Sequence, residues 1–135
     1  AMAANPMSEA AQAYAFRQLV KHLQVRTDLQ NIDQMNMSGY CRNCLAKWLY
    51  AGHLSASSEV QYSDCLSEVY GMSYGEWKKK YQTKASEDQM KLYKETKSLH
   101  AKHPPEVEEA AKKAKKKGGG PSSKGSGEPF SFQDV

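Results

Sequence analysis

The sequence is short of cysteine and has no long apolar run, no secretory leader and no concentrated charge of one sign. Its three cysteines are an odd number without a framework. That excludes a disulfide-stapled secreted mini-protein and suits free thiols in an intracellular, reducing compartment. The longest mainly apolar stretch, Cys44 to Leu54, is interrupted by Lys47 and His53, so no segment is expected to span a bilayer. Residues 1–15 lack the basic-then-apolar order of a signal peptide and any Arg-rich amphipathic face. The basic excess is only +4, from 19 Lys and Arg against 15 Asp and Glu, and it is spread out: residues 1–103 hold 13 basic and 10 acidic side chains, and 104–135 hold 6 and 5. A nucleic-acid-binding domain usually shows a stronger basic face. At 135 residues there is room for one domain, which excludes a multi-domain enzyme. No catalytic motif of high specificity appears, and no cofactor is called for.

What is present reads as helix. Sustained period-two alternation is missing, whereas Phe16, Leu19, Val20 and Leu23 fall on one stripe at helical spacing. Ser8 is placed to cap a first helix over about 9–25. Ser38 caps the next, reaching about Leu54. Tyr40, Cys41, Cys44, Leu45, Trp48 and Leu49 line its apolar half, with Arg42, Asn43, Ala46, Lys47 and Tyr50 opposite. Ser57 or Ser58 opens a helix carrying Tyr62, Cys65, Leu66, Val69 and Tyr70, which Gly71 stops. Ser73 to Glu76 and Ser86 to Gln89 are capping boxes. The first precedes Trp77 and Tyr81. The second opens a helix that turns Leu92, Tyr93, Thr96 and Leu99 towards a partner. The expected fold is an all-α bundle of about five helices over 8–103, with Trp48 as its core anchor.

The ends fall outside that domain. Ala1-Met2 reads as an expression remnant, and 1–7 as a disordered N-terminus. Pro104-Pro105 ends the last helix. Glu106 to Lys117 has the acidic start and lysine-rich end of a nascent helix, but with one large apolar residue, Val107, it has nothing to bury; Gly118 to Gly127 has linker composition. Residues 104–135 are therefore expected to be a disordered tail.

The segment Arg26 to Met37 is dense in polar residues, with a short helix or turn near 31–37. It reads as an exposed connector or as a polar network in which Asn31, Asp33 and Asn36 satisfy helix ends or bind something. A calcium loop is excluded, because Asn36 stands where that template needs glycine. Arg42 and Asn43, on the polar face of the next helix, are candidates for a recognition surface.

Asn31-Ile32-Asp33-Gln34-Met35-Asn36, followed by Gly39-Tyr40-Cys41-Arg42-Asn43-Cys44-Leu45-Ala46-Lys47-Trp48, resembles the short, mostly bacterial proteins called domain of unknown function 1244. Phe16 to Val20, Val69 to Met72, Tyr74, Glu76-Trp77 and Tyr81-Gln82 extend the resemblance over about 15–85. It implies a small all-helical fold and no activity. His53, Cys65 and the tail have no counterpart in the family pattern, and Gly71-Met72-Ser73 departs from its Gly-Met-Pro.

Cys41 and Cys44 allow three readings. As members of the apolar stripe they are small core residues. As thiols at a helix start beside Arg42, they are placed for redox chemistry, because helix N–H groups and positive charge favour thiolate. As two of four ligands they begin a zinc site, with Cys65 or His22 completing it. In a regular helix i, i+3 Cβ atoms lie about 5–6 Å apart, wider than the ~3.5–4.5 Å of a disulfide.

The functional expectation is a non-enzymatic protein-interaction module, with self-association the simplest use of its eight tyrosines and two tryptophans. The alternative is a thiol-based protein, zinc-binding or redox, working through Cys41 and Cys44. Nucleic-acid binding, through Trp77-Lys78-Lys79-Lys80-Tyr81, stands third. A cytoplasmic location fits best, and the Lys112 to Lys117 run allows a nuclear one.

Overall fold

The computed structural model describes residues 8–118. Residues 1–7 and the part of the expected tail after 118 lie outside the described residues. Among those described, the chain forms seven α-helices: α1 (Glu9–Val25), α2 (Asn31–Ser38), α3 (Arg42–Ser55), α4 (Tyr62–Tyr70), α5 (Tyr74–Tyr81), α6 (Glu87–Glu95) and α7 (Pro105–Gly118). A 3-10 turn, Lys97–Leu99, follows α6. The class is all-α, as the periodicity predicts, but the count exceeds the five expected. No described helix is long and apolar enough to cross a membrane.

Several boundaries follow the predicted caps. Ser8 accepts the Ala11 amide, Ser73 accepts the Glu76 amide, and Ser86 and Gln89 form a reciprocal box. Gly71 ends α4 in the left-handed region. Two caps differ. Ser38 is the last residue of α2 and gives its hydroxyl to the Gln34 carbonyl; Gly39 (φ 82°) terminates that helix, and Cys41 is the N-cap of α3. Gln61, boxed with Asp64, opens α4 in place of Ser57 or Ser58.

Two apolar clusters meet at α3. One gathers Leu23, Leu45, Ala46, Leu66, Val69, Tyr70 and Trp77; the other gathers Ile32, Met35, Cys41, Cys44 and Tyr93. Because α3 is enclosed from both sides, every residue from Arg42 to Lys47 is buried. The predicted polar face does not exist over this stretch, since a central helix is covered all round. The anchor is correspondingly Trp77, 1% exposed, and not Trp48, which is 44% exposed. Trp48 is the first residue beyond the enclosed stretch and lies against Tyr40 and His103, with ring centroids 6.0 and 5.6 Å away. Of the α6 stripe only Tyr93 is buried; Leu92 and Leu99 face outward, because the helix stops at Glu95.

Residues 105–118 correct the expectation of a tail. Pro105 sits at the first helical position, where its missing N–H breaks no bond and its fixed φ suits the helix. Val107 and Ala111, one turn apart, are both buried, with Ala110 and Ala114 beside the core. A stripe of alanines supplies little hydrophobicity in composition, yet it lets α7 lie close against α3 and α4.

Gly39 fixes the return of the chain. A Cβ there would lie 2.6 Å from the Leu99 carbonyl oxygen. The Ala101 amide donates to the Gly39 carbonyl at 2.8 Å. The segment after α6 is thus pressed on the α2–α3 turn, beside Cys41.

Trp77→Ala should cost about 3–5 kcal/mol in denaturant unfolding, the usual range for a buried aromatic. Trp48→Ala should cost less than about 1.5 kcal/mol, since nearly half of that ring stays in water. Equal losses would contradict this division of the core.

Candidate functional site

The site is built at the start of α3, whose first three residues, Arg42, Asn43 and Cys44, face different surroundings. Arg42 points into a cage of oxygen atoms. Its guanidinium donates to the carbonyls of Leu23 (3.1 Å), Arg26 (2.8 Å) and Leu29 (2.9 Å), to Asn31 Oδ1 (2.8 Å) and to Gln34 Oε1 (3.4 Å). Leu23 and Arg26 belong to the C-terminal end of α1, where the helix dipole favours a cation. The Trp77 ring covers the guanidinium at 4.8 Å. No carboxylate is among these partners. Burial pulls the Arg42 pKa down, but a guanidinium remains charged in proteins.

The cage continues through side chains. Asn31 Nδ2 donates to the Tyr70 hydroxyl at 3.0 Å, that hydroxyl donates to Asn43 Oδ1 at 2.6 Å, and Asn43 Nδ2 donates to the Tyr74 hydroxyl at 3.2 Å. Burial holds the Tyr70 phenol well above its ordinary range, so it stays a donor. Asn31, Arg42 and Asn43, expected as a polar network or recognition surface, therefore share one interior network. Asp33 and Asn36 belong elsewhere. Asp33 accepts from Gln89 Nε2 at 3.0 Å, and Asn36 donates to the Gln89 carbonyl at 3.2 Å. They fasten α2 to α6.

The two thiols occupy the opposite side. Cys41 is extended (φ −147°, ψ −171°) and outside the helix. An N-cap side chain turns back towards the third helical residue, which here is Cys44. Cys41 makes no side-chain cap bond, and because it lies outside the helix the spacing expected for two residues inside a regular helix does not apply. Cys44 is held well below the ordinary thiol range, chiefly because the Cys41 thiol serves its thiolate; burial opposes this, and His103 adds to it. Cys41 is pushed well above that range by burial and by the Cys44 sulfur. Of the two, Cys44 gives up its proton more readily than Cys41. His103 lines the same cavity as Cys44, and neither of its ring nitrogens has a formed hydrogen bond.

Cys44 opens on a small cavity of about 260 Å³, lined also by Met35, Lys47, Tyr93, His100, His103 and Glu108. Lys47 is buried there and pairs with Glu108 of α7 at 3.0 Å. His100 packs on Tyr93, with ring centroids 4.7 Å apart, and shares a hydrogen bond with Thr96 Oγ1. Cys65 lies in the other apolar cluster, and among the described residues no group of three or more His, Cys, Asp or Glu side chains is placed to hold a metal ion. The reading from sequence missed His100, His103 and Glu108. The available signal was the His100-x-x-His103 pair just ahead of Pro104-Pro105.

Fold and site define a small all-helical protein whose central helix opens on a Cys-x-x-Cys pair and a buried arginine. Residues 29–95 match the model of the family described as Protein of unknown function (DUF1244), the family that the sequence resembles. The match holds Arg42 and both thiols but not α1 or α7, so it begins later and ends later than the 15–85 expected. No curated protein matches the chain.

Arg42→Met should cost at least about 3 kcal/mol in denaturant unfolding, because several buried acceptors each lose a donor at about 1–3 kcal/mol apiece. Arg42→Lys should recover only part of this, since one ammonium cannot reach all five acceptors. A stable Met variant would remove Arg42 from the centre of the fold.

Proposed function

We propose that the protein is a dithiol redox protein in which Cys44 is the reactive thiolate and Cys41 its buried partner. The observation that carries this is the placement of Cys41 at the N-cap of α3 and of Cys44 as its third residue, opening on a pocket that His103 also lines. In the oxidising direction the Cys44 thiolate attacks one sulfur of an external disulfide, forming a mixed disulfide and releasing one thiolate. The Cys41 sulfur then attacks Cys44, and the second external thiolate leaves, taking up the proton that Cys41 gives up. Two protein thiols become one disulfide, and one external disulfide becomes two thiols. Such a couple suits a reducing compartment, with the cytoplasm the simplest location and the nucleus open through the lysine run.

A second reading, the non-enzymatic interaction module, draws on exposed Trp48 stacked between Tyr40 and His103. Aromatics of this kind are enriched at protein interfaces, and a protein partner or a second copy is the natural occupant. Zinc at Cys41 and Cys44 and nucleic acid at the lysines have less support.

Alkylation of Cys44 in the native protein reads the pH dependence. A lowered pKa keeps the thiolate as pH falls, and reactivity is lost only below the shifted value. From pH 8 to 6.5 the rate should stay within about twofold, where an ordinary cysteine near pKa 8.5 loses about twentyfold. His103→Gln should steepen the profile. A Cys44 that tracks an ordinary thiol would sink the proposal.

Mild treatment with a small disulfide should yield protein lighter by two hydrogens, with Cys41 and Cys44 joined on peptide mapping. Cys41→Ser should instead stop at a mixed disulfide on Cys44. Thiols that react only after denaturation would return the pair to core packing. One tightly held equivalent of zinc would return it to the metal reading.

A further inference from the structure

The cavity beside Cys44 is more specific than a reactive thiol requires. Its floor is apolar, from Met35 and Tyr93, and its rim includes Lys97 and Lys102 as well as His100 and His103. Lys47 and Glu108 neutralise one another at 3.0 Å. No other carboxylate lines the cavity, so Lys97 and Lys102 leave it positive. Burial disfavours protonation of His100, Cys44 opposes this, and the Lys102 and Lys97 ammoniums add to the effect of burial. The volume, about 260 Å³, lies below the ~300–1,000 Å³ of ordinary ligand pockets. That admits a small molecule and not the disulfide of a folded protein with its surrounding chain.

We infer that this cavity selects a low-molecular-weight disulfide bearing carboxylates, whose anionic groups meet Lys97 and Lys102 while its sulfur reaches Cys44. The inference rests on the thiol reading given above and adds the substrate class to it. The reaction balances as before: the anionic disulfide is reduced to two thiols as Cys41 and Cys44 are oxidised to one disulfide. A negative thiolate alone would favour a cationic disulfide. The two lysines must reverse that preference, each by about threefold for a unit charge roughly 8 Å away in water, less as salt screens them.

The test uses the full chain and three disulfides: dithiobis(nitrobenzoate), which is anionic, dithiodipyridine, which is neutral, and cystamine, which is cationic. Rates of modification of Cys44 are measured by stopped flow and divided by the rates of the same probes with the urea-unfolded protein. The normalised anionic-to-cationic ratio should be about ten at low ionic strength and should fall with salt. In the Lys97→Gln/Lys102→Gln double variant it should approach or drop below one, with the neutral probe unaffected; both residues are exposed, so folding is preserved. A reactive Cys44 with a ratio of one or less in the parent would overturn the anionic preference and leave the dithiol intact. A ratio unchanged in the double variant would overturn the role of these lysines. Slow reaction with all three probes would remove the dithiol reading and this inference together.

Discussion

The rest of the structure depends on one buried cation. Arg42 has no acidic partner in its cage; its charge is spread over carbonyl and amide oxygens from the end of α1, the following connector and α2, with the Trp77 ring above it. Removing it takes a donor from each of these acceptors, and it has no water to fall back on, being 1% exposed. Each side therefore requires the other. The connector between α1 and α2 is polar for the same reason. It presents backbone oxygens inward to a guanidinium and does not need apolar side chains to be ordered.

The same constraint explains what the amino-acid pattern did and did not reveal. Helices whose one side is wet, such as α1 and α4, carry stripes that periodicity reads correctly, and Ser8 and Gly71 mark the start of the first and the end of the second through local bonding. α3 defeats the method because Arg42, Asn43 and Lys47 look solvated by residue type and are buried by partners distant in sequence. Tyr70, Tyr74 and Glu108 are what make those polar groups acceptable indoors. α7 is illegible for the opposite reason: Val107 and Ala111 contribute little bulk, and only the nearness of α3 and α4 turns them into a buried stripe. The Cys-x-x-Cys pair was visible as a motif, but its geometry was not, because the register of α3 turns on Gly39 taking the stop position that Ser38 seemed to deny it.

The thiol pocket is a seam between two parts of the chain. Cys41, Cys44, Met35 and Tyr93 come from the segment that defines the family, whereas His100, His103 and Glu108 come from residues beyond it. The interior network around Arg42 lies mostly within the matched segment and fixes where α3 begins. The later residues take that fixed start and surround its thiols with imidazole and paired charge. Stability and chemistry are thus drawn from adjacent residues of one helical turn, Arg42 facing one way and Cys44 the other.

The close approach at Gly39 has a consequence for the order of events in synthesis. The Leu99 carbonyl and the Ala101 amide meet a turn that was made some sixty residues earlier. Closing so distant a contact is a late step, since its loop entropy is recovered only after the intervening helices have formed. Until then both sulfurs lie on the open flank of a helix whose cover is still being translated. Closure at Gly39 covers Cys41 on that flank and leaves Cys44 to be approached through its cavity alone.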